Sequence, residues 1–174
     1  MNSNQSILDS IQLEVLHVLR FYKALIRLPR IFQRAIKAGH DGVHIMTGGE
    51  TPDFFIYAKC LENDLIVRIS KLMDRSKKSA SIHTYMNLNK SSLPNDCFIR
   101  YQSFLDTHSK LISRRMEFLA HLKQGNKDNF DPDTTLYEPI KDMVELVDYI
   151  SQERQNYSWK DNMLSEDLRE QLGV

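Results

Sequence analysis

Apolar positions recur along this chain at helical spacing, in four long stretches. From Ser6 to Leu28, the residues Leu8, Ile11, Val15, Val18, Tyr22 and Leu25 follow one another at steps of three and four. That spacing lines one face of a helix. Ser6 is the predicted N-cap, with Asp9 three residues on. Pro29 predicts an end or a kink, because a proline lacks the backbone donor and crowds the preceding turn. A further helical piece is expected over 30–38, before Gly39.

Residues 39–50, GHDGVHIMTGGE, hold four glycines, which makes regular structure costly and predicts a loop. Thr51-Pro52-Asp53 then has the chemistry of a helix start, with Thr as N-cap, Pro at the first position and an acid near the positive end. Phe54, Ala58, Leu61, Leu65, Ile69 and Leu72 form the second stripe, which should end near Asp74. One short helix, Ile82 to Leu88, is expected inside the polar connection that follows. Pro94 and Asn95 introduce a third long helix, about Asp96 to Lys123, stopped by Gly125. Its stripe is Phe98, Tyr101, Leu105, His108, Ile112, Arg115, Leu119 and Leu122. A fourth helix should start near Tyr137 or Pro139 and bury Ile140, Met143, Val144, Leu146, Val147 and Ile150. The closing KDNMLSEDLREQLGV predicts a charged short helix or a loose tail; Tyr157 and Trp159 are readable as a base-stacking platform or as an anchor for the tail, and the anchor is the expectation. No strand-like alternation persists. The expected fold is all-α: an antiparallel bundle of four to five helices over 1–157, followed by the tail at 158–174.

Composition narrows the function classes. The 174 residues suit one domain with a real core. Lys plus Arg and Asp plus Glu balance at 23 each, so there is no global attraction to a polyanion, and any such site must be a local cluster. Lys71, Arg75, Lys77, Lys78 and Lys90 form one basic cluster, readable as an RNA-backbone track or as a solvated helix end. Cys60 and Cys97 sit in helical patterns and are expected as buried free thiols; no CxxC occurs. HDGVH (40–44) lacks further ligands nearby, so an exposed loop is expected there and no metal or cofactor. The start, MNSNQSILDS, has no secretory layout, and no apolar run approaches a membrane span. A cytoplasmic protein without membrane contact is the expectation.

Candidate chemistry lies on the third helix, in SRRMEFLAHLKQG (113–125). Arg115 and His108 occupy stripe positions where an apolar side chain is expected. A buried guanidinium costs several kcal/mol, roughly, unless it is paired or lines a wet groove. Its planar fork suits phosphate. On a helix, Arg114 and His121 lie roughly 20° apart, two turns from one another, and Arg115 and His121 roughly 120° apart, so Arg115 and His121 flank one groove from two sides. Glu117, one turn before His121, is placed to orient the imidazole and raise its pKa. Such a His and Arg could serve as acid/base and charge stabiliser for a phosphodiester. Equally, arginines near a helix end favour the dipole and salt-bridge to acids, and a histidine in a last turn caps carbonyls.

The segment RMEFLAH resembles the motif of the HEPN superfamily, an Arg followed after four to six residues by a His. More specifically, the chain is similar to the abortive-infection, AbiU-like branch over about residues 8–150. LENDLIVRISKLMD (61–74) and SIHTYMNL match that branch's acidic helix and its short connecting helix, and Leu119-Ala120-His121 stands in the register of its R…LAH. The resemblance implies a metal-independent endoribonuclease that is a homodimer and toxin-like in a prokaryotic defence or toxin–antitoxin setting, with an antitoxin protein as a further partner. It implies that His121 assists attack of the RNA 2′-hydroxyl and that Arg115 stabilises the phosphate. Arg114 is the helper or alternative, and Asp64 is the acid of the second helix, paired with an arginine or solvated. The chain departs from the family pattern at Met116, where a polar residue is usual, and at Lys123, where Asp is frequent. The alternative reading is a non-catalytic helical module that binds RNA, nucleotide or a partner protein through the same groove.

Overall fold

The computed structural model describes residues 3–37, 50–76, 79–113, 136–161 and 164–174. These are mostly helical. α1 spans Ser3–Lys37, α2 Glu50–Leu72, α3 Ile82–Leu88, α4 Cys97–Thr107 and α5 Tyr137–Ser151. A hairpin of β1 (Ser158–Asp161) and β2 (Leu164–Asp167) leads into α6 (Leu168–Leu172).

The core follows the stripes. On α1, Ile11, Val15, Val18, Tyr22 and Leu25 are buried, and on α2 so are Ala58, Leu61, Leu65, Ile69 and Leu72. α1 packs mainly against α2 and also touches α3, α5 and α6. α5 buries every apolar residue its period predicts, from Ile140 to Ile150, and packs against α4. Burying one such aliphatic side chain is worth about 1.5–3 kcal/mol, so these contacts supply the bulk of the cohesion.

Several boundaries differ from the sequence expectation. α1 runs through Pro29 rather than ending there. A proline forfeits one backbone hydrogen bond, and the turns on either side of it can persist. α2 begins at Glu50, so Thr51 lies in its first turn rather than at the cap, and Pro52 sits where a missing donor costs little. α3 has the predicted limits, and Ser81 caps it by accepting from the Thr84 amide at 3.3 Å. Cys97 is buried, whereas Cys60 is exposed, being displaced from the buried stripe of α2; both are free thiols.

The largest departures are at α4 and in the tail. The expected long third helix is interrupted: α4 ends at Thr107, His108 takes a non-helical φ of −106° and ψ of 23°, and helix resumes over 109–113. The buried side chains are Cys97, Tyr101, Phe104, His108 and Leu111, so the inward face is turned from the expected stripe, and Phe98, Leu105 and Ile112 sit at its border. The tail contains a two-stranded antiparallel hairpin pairing Ser158 with Asp167 and Asp161 with Leu164. Four-residue strands are too short to display a period of two. Tyr157 is buried and anchors the tail, and the Leu168 amide donates to the Tyr157 carbonyl at 3.2 Å. Arg169 is buried against α5, where Nη1 donates to Asp148 Oδ2 at 2.7 Å and to the Gln155 carbonyl at 3.1 Å. The Tyr137 hydroxyl donates to the Gly173 carbonyl at 2.7 Å, closing the chain end onto the start of α5. Gly173 adopts φ 73°, a left-handed conformation that suits glycine at a helix end. Among the described residues, no helix is long and apolar enough to cross a membrane.

Candidate functional site

The proposed motif residues Arg114, Arg115, Glu117 and His121 lie outside the described residues, as do Met116, Lys123 and the HDGVH loop. The described residues that precede the motif end at Ser113. The helical stretch over 109–113 starts from His108, whose carbonyl accepts from the Leu111 amide at 3.1 Å and the Ile112 amide at 3.2 Å. Its imidazole is buried. Nε2 lies 2.7 Å from Asp142 Oδ2 on α5, and the ring sits 4.7 Å from the Phe104 ring. The sequence stripe marked His108 as a polar intruder, and the structure gives it a carboxylate partner that the sequence did not identify.

A second polar tie joins α4 and α5 at the other end of their contact. The Tyr149 hydroxyl donates to Asp96 Oδ1, Arg100 Nε donates to Asp96 Oδ2 at 2.9 Å, and the Arg100 guanidinium lies 3.9 Å from the Tyr149 ring centre. The Tyr149 bond first, then Arg100, holds the Asp96 carboxyl below the usual carboxylate range; the same bond pushes the Tyr149 phenol up. Between the two ties lies an open groove of about 230 Å³ lined by Arg100, Ser103, Phe104, Asp142, Glu145 and Leu146.

On α2, Asp64 is half-exposed and accepts from Arg68 Nε at 2.6 Å, while Arg68 Nη1 donates to Glu14 on α1 at 2.8 Å. The expected pairing with an arginine is therefore present, on the outer side of the α1–α2 seam. Burial pulls the Arg68 guanidinium down, but Asp64 and Glu14 outweigh it and hold it above the usual arginine value. The wholly buried acid of α2 is instead Glu62, at 0 % exposure, which the stripe analysis did not single out. Its place beside Leu61 on the inward face was the available signal.

The basic cluster is partly committed to neighbours. Lys71 reaches Glu14 at 3.4 Å, Arg75 donates to Gln102 at 2.7 Å, and Lys90 is exposed; Lys77 and Lys78 lie outside the described residues. Among the described residues, no group of three or more His, Cys, Asp or Glu side chains is placed to hold a metal ion. None of the family models, curated proteins or solved structures compared with the chain matches it.

Proposed function

We propose that this protein is a metal-independent endoribonuclease of HEPN type, working as a cytoplasmic homodimer in a toxin-like defence or toxin–antitoxin role. The observation that carries this reading is the sequence RRMEFLAH (114–121), with two guanidiniums and an imidazole at helical spacing on a mostly helical chain. The helical stretch over 109–113 that leads into the motif is in keeping with it. So is a four-to-five-helix bundle of the HEPN kind, which the five helices α1 to α5 can accommodate.

In the proposed reaction, His121 takes the proton of an RNA 2′-hydroxyl as the oxygen attacks the adjacent phosphorus. The 2′-O–P bond forms and the P–O5′ bond breaks. The proton returns to the leaving 5′ oxygen, giving a 2′,3′-cyclic phosphate and a 5′-hydroxyl. Arg115 stabilises the charge that develops on the phosphate, a positioned-cation effect that needs no metal. Arg114 assists it, and Glu117 orients the imidazole.

A second reading is supported by Met116 and Lys123, which replace polar and acidic positions of the family pattern. On that reading the same groove binds RNA, nucleotide or a partner protein such as an antitoxin without cleaving. Incubation of wild type, Arg115→Ala and His121→Ala with RNA in chelator separates the two. Cleavage to cyclic-phosphate ends by wild type, lost in both variants, is the nuclease outcome. RNA that stays intact but is retarded on a gel is the outcome of a binding module.

A further inference from the structure

Arg20, Lys23, Arg27, Arg30, Arg34 and Lys37 follow one another at steps of three and four. In the sequence, Pro29 divides this run between two expected elements. In the structure α1 continues to Lys37, so all six positions belong to one helix. At about 100° per residue they fall within a sector of roughly 100°, turned roughly 120° from the buried face, and they extend over about 25 Å of helix. Arg20 and Lys23 are half-buried and Arg27 is exposed. The helix register places Arg30, Arg34 and Lys37 on the same face.

No acid opposes this stripe along its own helix. From 15 to 40 there is no Asp or Glu, whereas six of the chain's 23 Lys and Arg residues fall there. Glu14, the last acid before the stripe, is gripped from α2 by Arg68 at 2.8 Å and Lys71 at 3.4 Å. A chain of zero net charge thus concentrates positive charge along one line. Such a line favours a polymer of evenly spaced anions over a single anion, because each added contact releases a further counterion. Successive positions rise by about 4.5–6 Å, the scale on which phosphates follow one another along an extended strand. A lipid surface is the other regular array of anions, but a helix lying on a bilayer inserts its apolar face. On α1 that face is already spent: Val18, Leu19, Tyr22 and Leu25 are buried in the core.

We propose that the α1 stripe is a phosphate-tracking surface for single-stranded RNA, bound through its backbone without regard to sequence. The stripe itself reads phosphate; RNA as the source of that phosphate rests on the nuclease reading above. The surface supplies affinity and no chemistry, so it holds whether or not the chain cleaves what it binds.

The test measures binding of a short mixed-sequence RNA by fluorescence anisotropy across a salt series. The RNA is methylated at every 2′-oxygen, which blocks 2′-attack and separates binding from cleavage. Full-length wild type, Arg27→Gln, the triple variant Arg27→Gln/Arg30→Gln/Arg34→Gln and the same triple to Lys are compared with Arg154→Gln, an exposed charge beyond the end of α5. Gln and Lys both favour helix, so α1 should be retained, as circular dichroism will show. Each lost phosphate contact should weaken binding roughly fivefold at about 0.1 M salt and lower the slope of log K against log[salt] by about 0.7, so the triple Gln variant should lose roughly a hundredfold. The triple Lys variant should keep the wild-type slope, and Arg154→Gln should change little. Should the triple Gln variant fail to fold, Arg27→Gln, at an exposed position, decides alone. No RNA binding by wild type at low salt, wild-type affinity in Arg27→Gln and the triple Gln variant, or an equal loss in Arg154→Gln overturns the proposal. So does a preference for DNA of the same sequence, or stripe-dependent sedimentation with phosphatidylserine vesicles, which would assign the surface to lipid. RNA bound as expected, with unmodified RNA left intact, removes the nuclease reading and retains the stripe.

Discussion

Arg68 and Arg169 both grip carboxylates at close range, yet they do so in different surroundings. Arg68 bonds Asp64 at 2.6 Å and Glu14 at 2.8 Å on the outer side of the α1–α2 seam, with its side chain 25 % exposed and that of Asp64 42 %. Arg169 bonds Asp148 at 2.7 Å beneath the tail, at 7 % and 19 %. Water screens the first set of charges and largely spares the second. The α1–α2 seam therefore depends on apolar burial, and its ion pairs are a rim. Under the tail's clasp on α5 the Arg169–Asp148 pair is buried beside the apolar contacts of Tyr157 and Leu168, and two buried groups, Arg169 Nε and the Tyr157 hydroxyl, have no hydrogen-bond partner among the described residues.

The sharpest way to break the seam is Leu65→Ala. Leu65 is fully buried, so the lost transfer energy and the cavity should together cost about 3 kcal/mol or more in denaturant unfolding. The clasp should break with Arg169→Ala. That change leaves Asp148 with the Gln155 amide at 2.9 Å as its remaining donor and should cost about 2–3 kcal/mol, discounted for the residual exposure of Asp148.

Tyr157→Phe should move the clasp in the opposite direction. Removing an unsatisfied buried hydroxyl should stabilise the protein by about 1 kcal/mol. It should also change the alkaline limb. Burial, with the nearby Asp148 charge, pushes the Tyr157 phenol well above its ordinary value of 10.0. The folded state thus keeps its proton where the unfolded chain loses it, and stability falls as pH rises above about 10. The Phe variant should lose that part of the fall, as measured by unfolding at pH 8 and pH 11. The smallest effect belongs to Asp64→Ala. It should change stability by no more than about 0.5 kcal/mol, and less in high salt. A loss comparable to that of Arg169→Ala would show that the two pairs are not different in kind.

The same contrast explains what was legible in the sequence. Steps of three and four on α1, α2 and α5 located the core because burial on a helix leaves a periodic trace. The interruption at His108 left no such trace, since the pattern of threes and fours continues across it through Tyr101, Phe104, His108 and Leu111. Its cause is a pairing with Asp142, 34 residues away, which local sequence does not encode. The hairpin was hidden for a different reason: its strands are four residues each, too short to display a period of two. The arginine–histidine motif was visible as residue types and spacing alone. His108 was flagged as a polar side chain in a buried stripe, but its partner came from the fold.

The nuclease reading stands on Arg115 and His121, and a cleavage assay with defined product ends tests it. A short RNA is incubated with purified wild-type protein and with His121→Ala under single-turnover conditions in excess chelator, and the product ends are identified. Wild type should give a 2′,3′-cyclic phosphate and a 5′-hydroxyl, with the rate reduced by about 10²–10⁴ in the variant. Equal cleavage by both proteins, cleavage abolished by the chelator, or no cleavage by either would contradict it.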